Sequence, residues 1–161
     1  MKKIKFCVDG EPMGKQRPKA RNTGKFIHIY TPSATGNYEN RVRDSYKKVA
    51  AIHEFEEYSA HSEISATIIA YYQIPKSHYK FYKREKVTRL DKEGQEMLNG
   101  TIRPTKKPDT DNIAKIILDS LNGVAYVDDS QITTLLVMKY YSENPRVEVI
   151  LEGKEDENVS W

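Results

Sequence analysis

Ile64, Ala66, Ile68, Ala70, Tyr72 and Ile74 are apolar at every second position. A period of two sends alternate side chains to opposite faces, so this run predicts a strand central to a sheet, ended by Pro75. Ile4, Phe6 and Val8 repeat the pattern and predict a strand over 3–9. Phe26 to Tyr30 reads as a strand returning from a loop that starts at Gly10 and carries Pro12, Gly14 and Pro18. Two further runs, 132–141 and 146–151, are joined by Ser142, Glu143, Asn144 and Pro145 and predict a hairpin.

Helical periodicity appears elsewhere. Thr31-Pro32 opens a helix over 33–52, with Thr31 as cap and Tyr38, Val42, Tyr46, Val49 and Ile52 on its core face. A shorter helix follows Pro108, capped by Thr110 or Asp111 and stopped by Asn122-Gly123. At about 100° per residue, Asp111, Lys115, Asp119 and Asn122 share one narrow arc. Ile113, Ala114, Ile116, Ile117, Leu118 and Leu121 cover the rest, which predicts a largely buried helix. Val124 to Val127 then reads as the start of a strand. Between these parts, Ser77 caps a basic helix holding Lys80, Lys83, Arg84, Lys86 and Arg89. The stretch 91–100 carries little pattern and is expected to be mobile, and Ile102 begins a short strand. The fold class is α/β: a single domain over 1–161, with a mixed β-sheet, two main helices packed on it and a frayed tail over 153–161.

Charge sharpens this picture. The net charge of +3 conceals blocks: residues 1–50 hold 12 Lys/Arg against 4 Asp/Glu, and residues 76–107 hold 10 against 4. Residues 108–161 reverse the sign, with 4 against 11. Two basic blocks together with an acidic segment suggest a polyanion gripped around a metal site. Lys15, Arg17, Lys19 and Arg21 in the first block, and Lys80, Lys83 and Arg84 in the second, are the candidate DNA-binding residues. Tyr79, Phe81 and Tyr82 lie among the second set, where aromatics can stack on exposed bases. The Met1-Lys2-Lys3 start runs into strand alternation rather than an apolar signal sequence, and no apolar run is long enough to span a membrane. A single cysteine, Cys7, excludes an internal disulfide, fits a reducing cytoplasm and reads as a small packing residue. The four histidines stand in no ligand spacing.

The candidate chemistry lies in Pro108-Asp109-Thr110-Asp111-Asn112-Ile113-Ala114-Lys115 and, after the helix, Asp128-Asp129. Each Asp fragment alone is ordinary cap or turn chemistry. Together they form a carboxylate set suited to Mg²⁺, with Mn²⁺ as substitute, since hard cations take oxygen ligands. No His or Cys accompanies them, which argues against zinc. Asp109, Asp111, Asp128 and Asp129 are the candidate metal ligands, expected to converge within a few ångström. Asn112 is a candidate to hold a carboxylate, and Asp119 a weaker member of the set.

The run Pro-Asp-x-Asp-Asn-x-x-Lys (108–115), Leu-Asp-x-Leu-Asn-Gly-Val (118–124) and Asp-Asp-Ser-Gln-Ile (128–132) resembles the RusA family of Holliday junction resolvases. Gly10-Glu-Pro, Lys15-x-Arg17-Pro18 and Tyr30-Thr31-Pro32 resemble the family's opening. The resemblance implies a homodimeric, Mg²⁺-dependent endonuclease that cuts four-way DNA junctions symmetrically. It implies catalytic roles for Asp109, Asp111, the Asp128-Asp129 pair with Asp129 favoured, and Lys115. Two rivals remain at this level: a non-catalytic branched-DNA-binding module, which does not need the full acid set, and another Asp-x-Asp metal enzyme such as a glycosyltransferase. The second would need a βαβ unit with a Gly-rich turn, and none is seen.

Overall fold

The structure, a computed structural model, describes residues 1–154. Its frame is a four-stranded mixed sheet built from β1 (Lys2–Asp9), β4 (Glu63–Gln73), β7 (Ile132–Ser142) and β8 (Arg146–Lys154), in the order β1-β8-β4-β7. β4 is central, as its alternation predicts. β8 runs antiparallel to both β1 and β4, while β7 runs parallel to β4.

The predicted hairpin is therefore corrected. β7 and β8 do not pair; β4 lies between them. The inner residues Ile64 to Tyr72 are apolar enough to be buried with a strand on each side, and the short link 143–145 steps across the end of β4 instead of closing a turn.

Helix α1 (Ser33–Ile52) and helix α3 (Thr110–Leu121) pack together and against one face of this sheet. Inward residues of every strand (Phe6, Ile68, Val149) join Tyr38, Val42, Ile113 and Ile117 in one core. Ile52 is not part of it: at the last turn of α1 it is 75% exposed. The first residue before α1 is Pro32, without a side-chain cap, so Thr31 does not cap it. Cys7 is exposed on the other face of β1, not packed.

The remaining elements depart furthest from expectation. Residues 19–30 form an exposed ribbon, β2 (Lys19–Asn22) paired with β3 (Ile27–Tyr30). The basic helix after Ser77 does not exist. A 3₁₀ turn (Lys76–His78) leads into a second ribbon, β5 (Tyr79–Tyr82) and β6 (Val87–Leu90). Aromatic and β-branched residues favour strand there, and Lys83 to Lys86 supply the turn, with Lys86 in the left-handed region at φ 52°. The stretch expected to be mobile holds a third helix, α2 (Lys92–Leu98), capped by the Asp91 carboxylate on the Gly94 amide at 2.8 Å. Met97 buries against Leu90 and Ile74 in a small second core that Ile102 joins without forming a strand. Residues 124–127 form a turn that plugs Ala125 and Tyr126 into the main core, not a strand. Gly153 and Lys154 belong to β8; the rest of the expected tail lies outside the described residues.

Candidate active site at the start of helix α3

The turn before α3 is held from the sheet. The Pro108 carbonyl accepts hydrogen bonds from the Tyr72 hydroxyl at 3.3 Å and the Lys139 ammonium at 3.1 Å. Lys139 also donates to the Lys106 carbonyl. Burial lowers the Lys139 pKa and Lys106 adds to the fall, while the nearby Asp109 charge opposes it. Both ammonium groups lie over the Tyr72 ring, at 5.3 Å for Lys106 and 5.2 Å for Lys139. Burial pushes the Tyr72 phenol up to about 12.

Asp109, rather than Thr110 or Asp111, is the N-cap of α3. Its backbone is extended, its carbonyl accepts the Ile113 amide at 3.1 Å, and its carboxylate makes no capping bond. Asp111 stands exposed in the first turn and Lys115 exposed one turn later, each without a hydrogen bond or ion pair among the described residues. The buried face of the helix matches the predicted arc, so Asp111, Lys115 and Asp119 share its open side.

The N-terminal loop closes over this helix. The Lys15 amide donates to the Asn112 carbonyl at 3.0 Å. The Lys15 ammonium pairs with Glu39 of α1 and, at 3.3 Å, with Asp119. Burial alone would lower its pKa, but the two carboxylates outweigh that and hold it above the ordinary lysine value. This close approach needs a glycine at 14: a Cβ there would lie 2.7 Å from the Pro108 Cβ. An open cleft of about 340 Å³ remains, lined by Lys15, Gln16, Lys107, Pro108, Asp109 and Asn112.

Asp128 and Asp129 enter from the turn before β7. The Asp128 carboxylate accepts the Ser130 amide at 3.2 Å in a capping box with Gln131, and this holds its pKa below the usual range. Gln131 ties the turn to the Ser59 carbonyl at 2.7 Å. The buried Tyr126 hydroxyl donates to the Leu118 carbonyl at 2.9 Å. Burial first, then the charges of Asp129, Asp119 and Asp128, drive that phenol far above its ordinary value. Asp109 and Asp111 stand at the start of α3, while the charges of Asp119, Asp128 and Asp129 are felt at Tyr126. With side chains as they lie, no three His, Cys, Asp or Glu residues among those described close on one point.

The family model for endodeoxyribonuclease RusA matches residues 9–152. This chain belongs to the RusA endodeoxyribonuclease family. The match spans every part of the candidate site just described, from Gly14 and Lys15 through α3 to the Asp128 turn. The chain is also 34% identical over 148 residues to the uncharacterized protein YqaN of Bacillus subtilis (strain 168), covering 92% of this chain and 94% of YqaN. RusA membership implies nuclease activity of the Holliday-junction-resolving kind, with branched DNA as substrate. No helix among the described residues is long and apolar enough to cross a membrane.

Of the candidate DNA contacts, Arg17, Lys19 and Arg21 are exposed along the loop and β2, and Lys80, Lys83 and Arg84 along the β5–β6 ribbon. Lys15 is instead committed to Glu39 and Asp119. Sequence reasoning missed Tyr72, Lys139 and Glu39. Lys139 had a signal: in β7 it follows Leu135 and Val137 at inward parity, where a charge is out of pattern.

Proposed function

We propose that this RusA-family protein is a divalent-metal-dependent endodeoxyribonuclease that resolves four-way junctions by symmetric phosphodiester hydrolysis, acting as a homodimer. The observation that carries this reading is the Asp109–Asp111 pair: two carboxylates whose oxygens make no hydrogen bond or ion pair among the described residues, at a helix N-terminus, beside an open cleft with basic walls. The donor set is all carboxylate oxygen, and Mg²⁺ commonly takes one or two carboxylates and completes its shell with water and substrate phosphate. These residues therefore fit Mg²⁺, with Mn²⁺ as a substitute. Asp109 and Asp111 would hold it, with Asp129 as the further ligand. Asp128 is the weaker choice because its carboxylate is already spent on the Ser130 cap.

When bound, the ion would lower the pKa of an attacking water and neutralise charge on the scissile phosphate. The protein's own groups do the positioning. Lys139 and Tyr72 fix the carbonyl just before Asp109 and so set where its carboxylate can reach. Lys115, without an ion pair among the described residues and one turn beyond Asp111, places a positive charge where a phosphate oxygen gains negative charge. The exposed bases of the two ribbons grip flanking phosphates. Symmetric cutting needs two such sites related by a two-fold axis, which a C2 dimer provides.

The test is a labelled four-way junction incubated with the purified protein and Mg²⁺. Paired nicks at symmetric positions are expected from wild type. Asp111→Asn should bind the junction with little change and cut nothing. Cutting by that variant at the wild-type rate would sink the assignment.

A further inference from the structure

The segment 99–109 joins α2 to α3 and ends on Asp109. It is held against β7 from both faces of the sheet. On the helix-free face, Gly100 lies against the Tyr140 ring. The Arg103 guanidinium sits over that ring at 3.9 Å, and its Nε donates to the Lys139 carbonyl at 2.9 Å. On the helix face, the Lys139 ammonium holds the Lys106 and Pro108 carbonyls. One residue of β7 is thus gripped at both ends, its carbonyl by Arg103 and its ammonium by the turn that carries Asp109.

The seat of Arg103 is itself fixed. Tyr140 faces Tyr71 across the β4–β7 ladder and stacks on it at 6.0 Å. Arg146 lies over the Tyr71 ring at 3.9 Å and is anchored to Glu148 at 2.9 Å and to the Asn144 carbonyl at 3.0 Å. Arg146, Tyr71, Tyr140 and Arg103 therefore form a chain of flat groups in contact. The first three stand on strands, where register sets their places. Arg103 stands on the connecting segment, and no carboxylate pairs with it among the described residues. The ring and the carbonyl hold it, and a planar guanidinium can stack on one while donating to the other.

We propose that Arg103 is a positioning residue for the metal site. It seats the segment on β7 and fixes the Lys139 backbone, and through Lys139 it fixes the turn from which Asp109 projects. The inference rests on the reading of Asp109 as a metal ligand. Arg103 makes no direct contact with Asp109 among the described residues, so its effect runs through Lys139. Residues that orient a ligand from behind commonly carry 10- to 100-fold in metal affinity.

Calorimetric titration of the full chain with Mg²⁺ alone, without DNA, tests it. Arg103→Met keeps an aliphatic stem over Tyr140 and removes the plane, the donor and the charge. Its Mg²⁺ affinity should fall by about 10-fold. Removing a positive charge near a cation site would by itself strengthen binding, so a fall reports position and not charge. Hydrogen exchange in chelator is the second readout: residues 105–113 should exchange faster in the variant. Arg146→Met, at the far end of the same chain of contacts, should change neither. Junction binding by Arg103→Met in chelator should keep its affinity and its dependence on salt. Circular dichroism checks folding, and Arg103→Lys, which cannot stack and donate together, decides the matter if the Met variant does not fold. Where wild type binds Mg²⁺, an unchanged affinity in the Arg103 variant would overturn the proposal. Equal losses in Arg146→Met would overturn it too, by making the effect one of general stability. So would weaker junction binding with a flatter salt slope, which would make Arg103 a phosphate contact. If wild type binds no Mg²⁺, the metal-ligand reading sinks, and the exchange difference alone decides whether Arg103 holds the turn.

Discussion

The Lys139 ammonium lies 3.1 Å from the carbonyl oxygen of Pro108, the residue before Asp109. A lysine from the sheet therefore fixes the backbone from which a candidate metal ligand projects. Lys139→Met keeps the aliphatic stem over Tyr72 and deletes the donor. It should lower stability by roughly 1.5 to 3 kcal/mol, toward the smaller figure because the group is only half-buried. Junction cleavage should fall more than junction binding, and the thermal shift on adding Mg²⁺ should shrink. Lys139→Arg should recover part of that shift. Urea melts with chelator and with Mg²⁺ measure both effects; an unchanged Mg²⁺ response in the Met variant would remove Lys139 from the site.

Gly14 makes a separate prediction. A methyl group there would press on the Pro108 and Asn112 side chains, at 2.7 and 3.1 Å. Neither is the far end of a flexible chain, so the loop must lift from α3. Gly14→Ala should cost about 1 to 3 kcal/mol, in the range of overpacking. It should also loosen the Lys15 pairs to Glu39 and Asp119. Denaturant melts of Gly14→Ala and Lys15→Met, singly and together, check the coupling: the double variant should lose less than the two single losses combined.

The legibility of this chain followed the strength of its periodicity. β1, β4, α1 and α3 were readable because each buries one face, and burial writes itself into the sequence at period two or 3.6. The β5–β6 ribbon was not, because neither of its faces packs on the main core, so Lys80 to Arg89 carry no burial pattern and a helix fits them as well. The pairing of β7 and β8 failed for another reason: a short link suggests a hairpin, and nothing local reveals that β4 will intervene. At the site, the acids were legible as residue types in a motif. Their supports were not, because Tyr72, Lys139 and Glu39 reach the site only through strand register and helix packing.

The basic ribbons bear on affinity rather than chemistry. Arg17, Lys19 and Arg21 are exposed, whereas Lys15 is held by two carboxylates. Replacing Arg17, Lys19 and Arg21 together by Ala should weaken junction binding and flatten its dependence on salt. Each lost phosphate contact removes about 0.9 from the log–log slope, so three remove about 2.7. Binding isotherms over a range of salt give the slope directly. An unchanged slope would mean that these side chains are merely solvated.

Tyr46 offers a prediction about pH. Its ring sits edge-on to Phe6 at 5.7 Å in the core, and its hydroxyl has no hydrogen-bond partner among the described residues. Burial, with a smaller push from Glu57, raises its pKa to about 12. In the unfolded chain a tyrosine ionises near 10. Between about pH 10 and 12 the unfolded chain has therefore released a proton that the native state keeps. The unfolded state binds fewer protons there, so stability falls as pH rises across this window and is unaffected by this group below it. Tyr46→Phe removes the ionisation and the unpaired hydroxyl together. At pH 7 it should be neutral or stabilising by up to about 1 kcal/mol, since a desolvated hydroxyl without a partner is lost at no cost in hydrogen bonding. Between pH 10 and 12 its loss of stability should be smaller than that of wild type by about 2 to 3 kcal/mol, the value of a two-unit shift. Tyr38 and Tyr72, also raised to about 12, keep the alkaline fall from vanishing. Urea melts at pH 7, 10 and 12 for both proteins decide it, and equal alkaline losses would show that the Tyr46 hydroxyl reaches water in the native state.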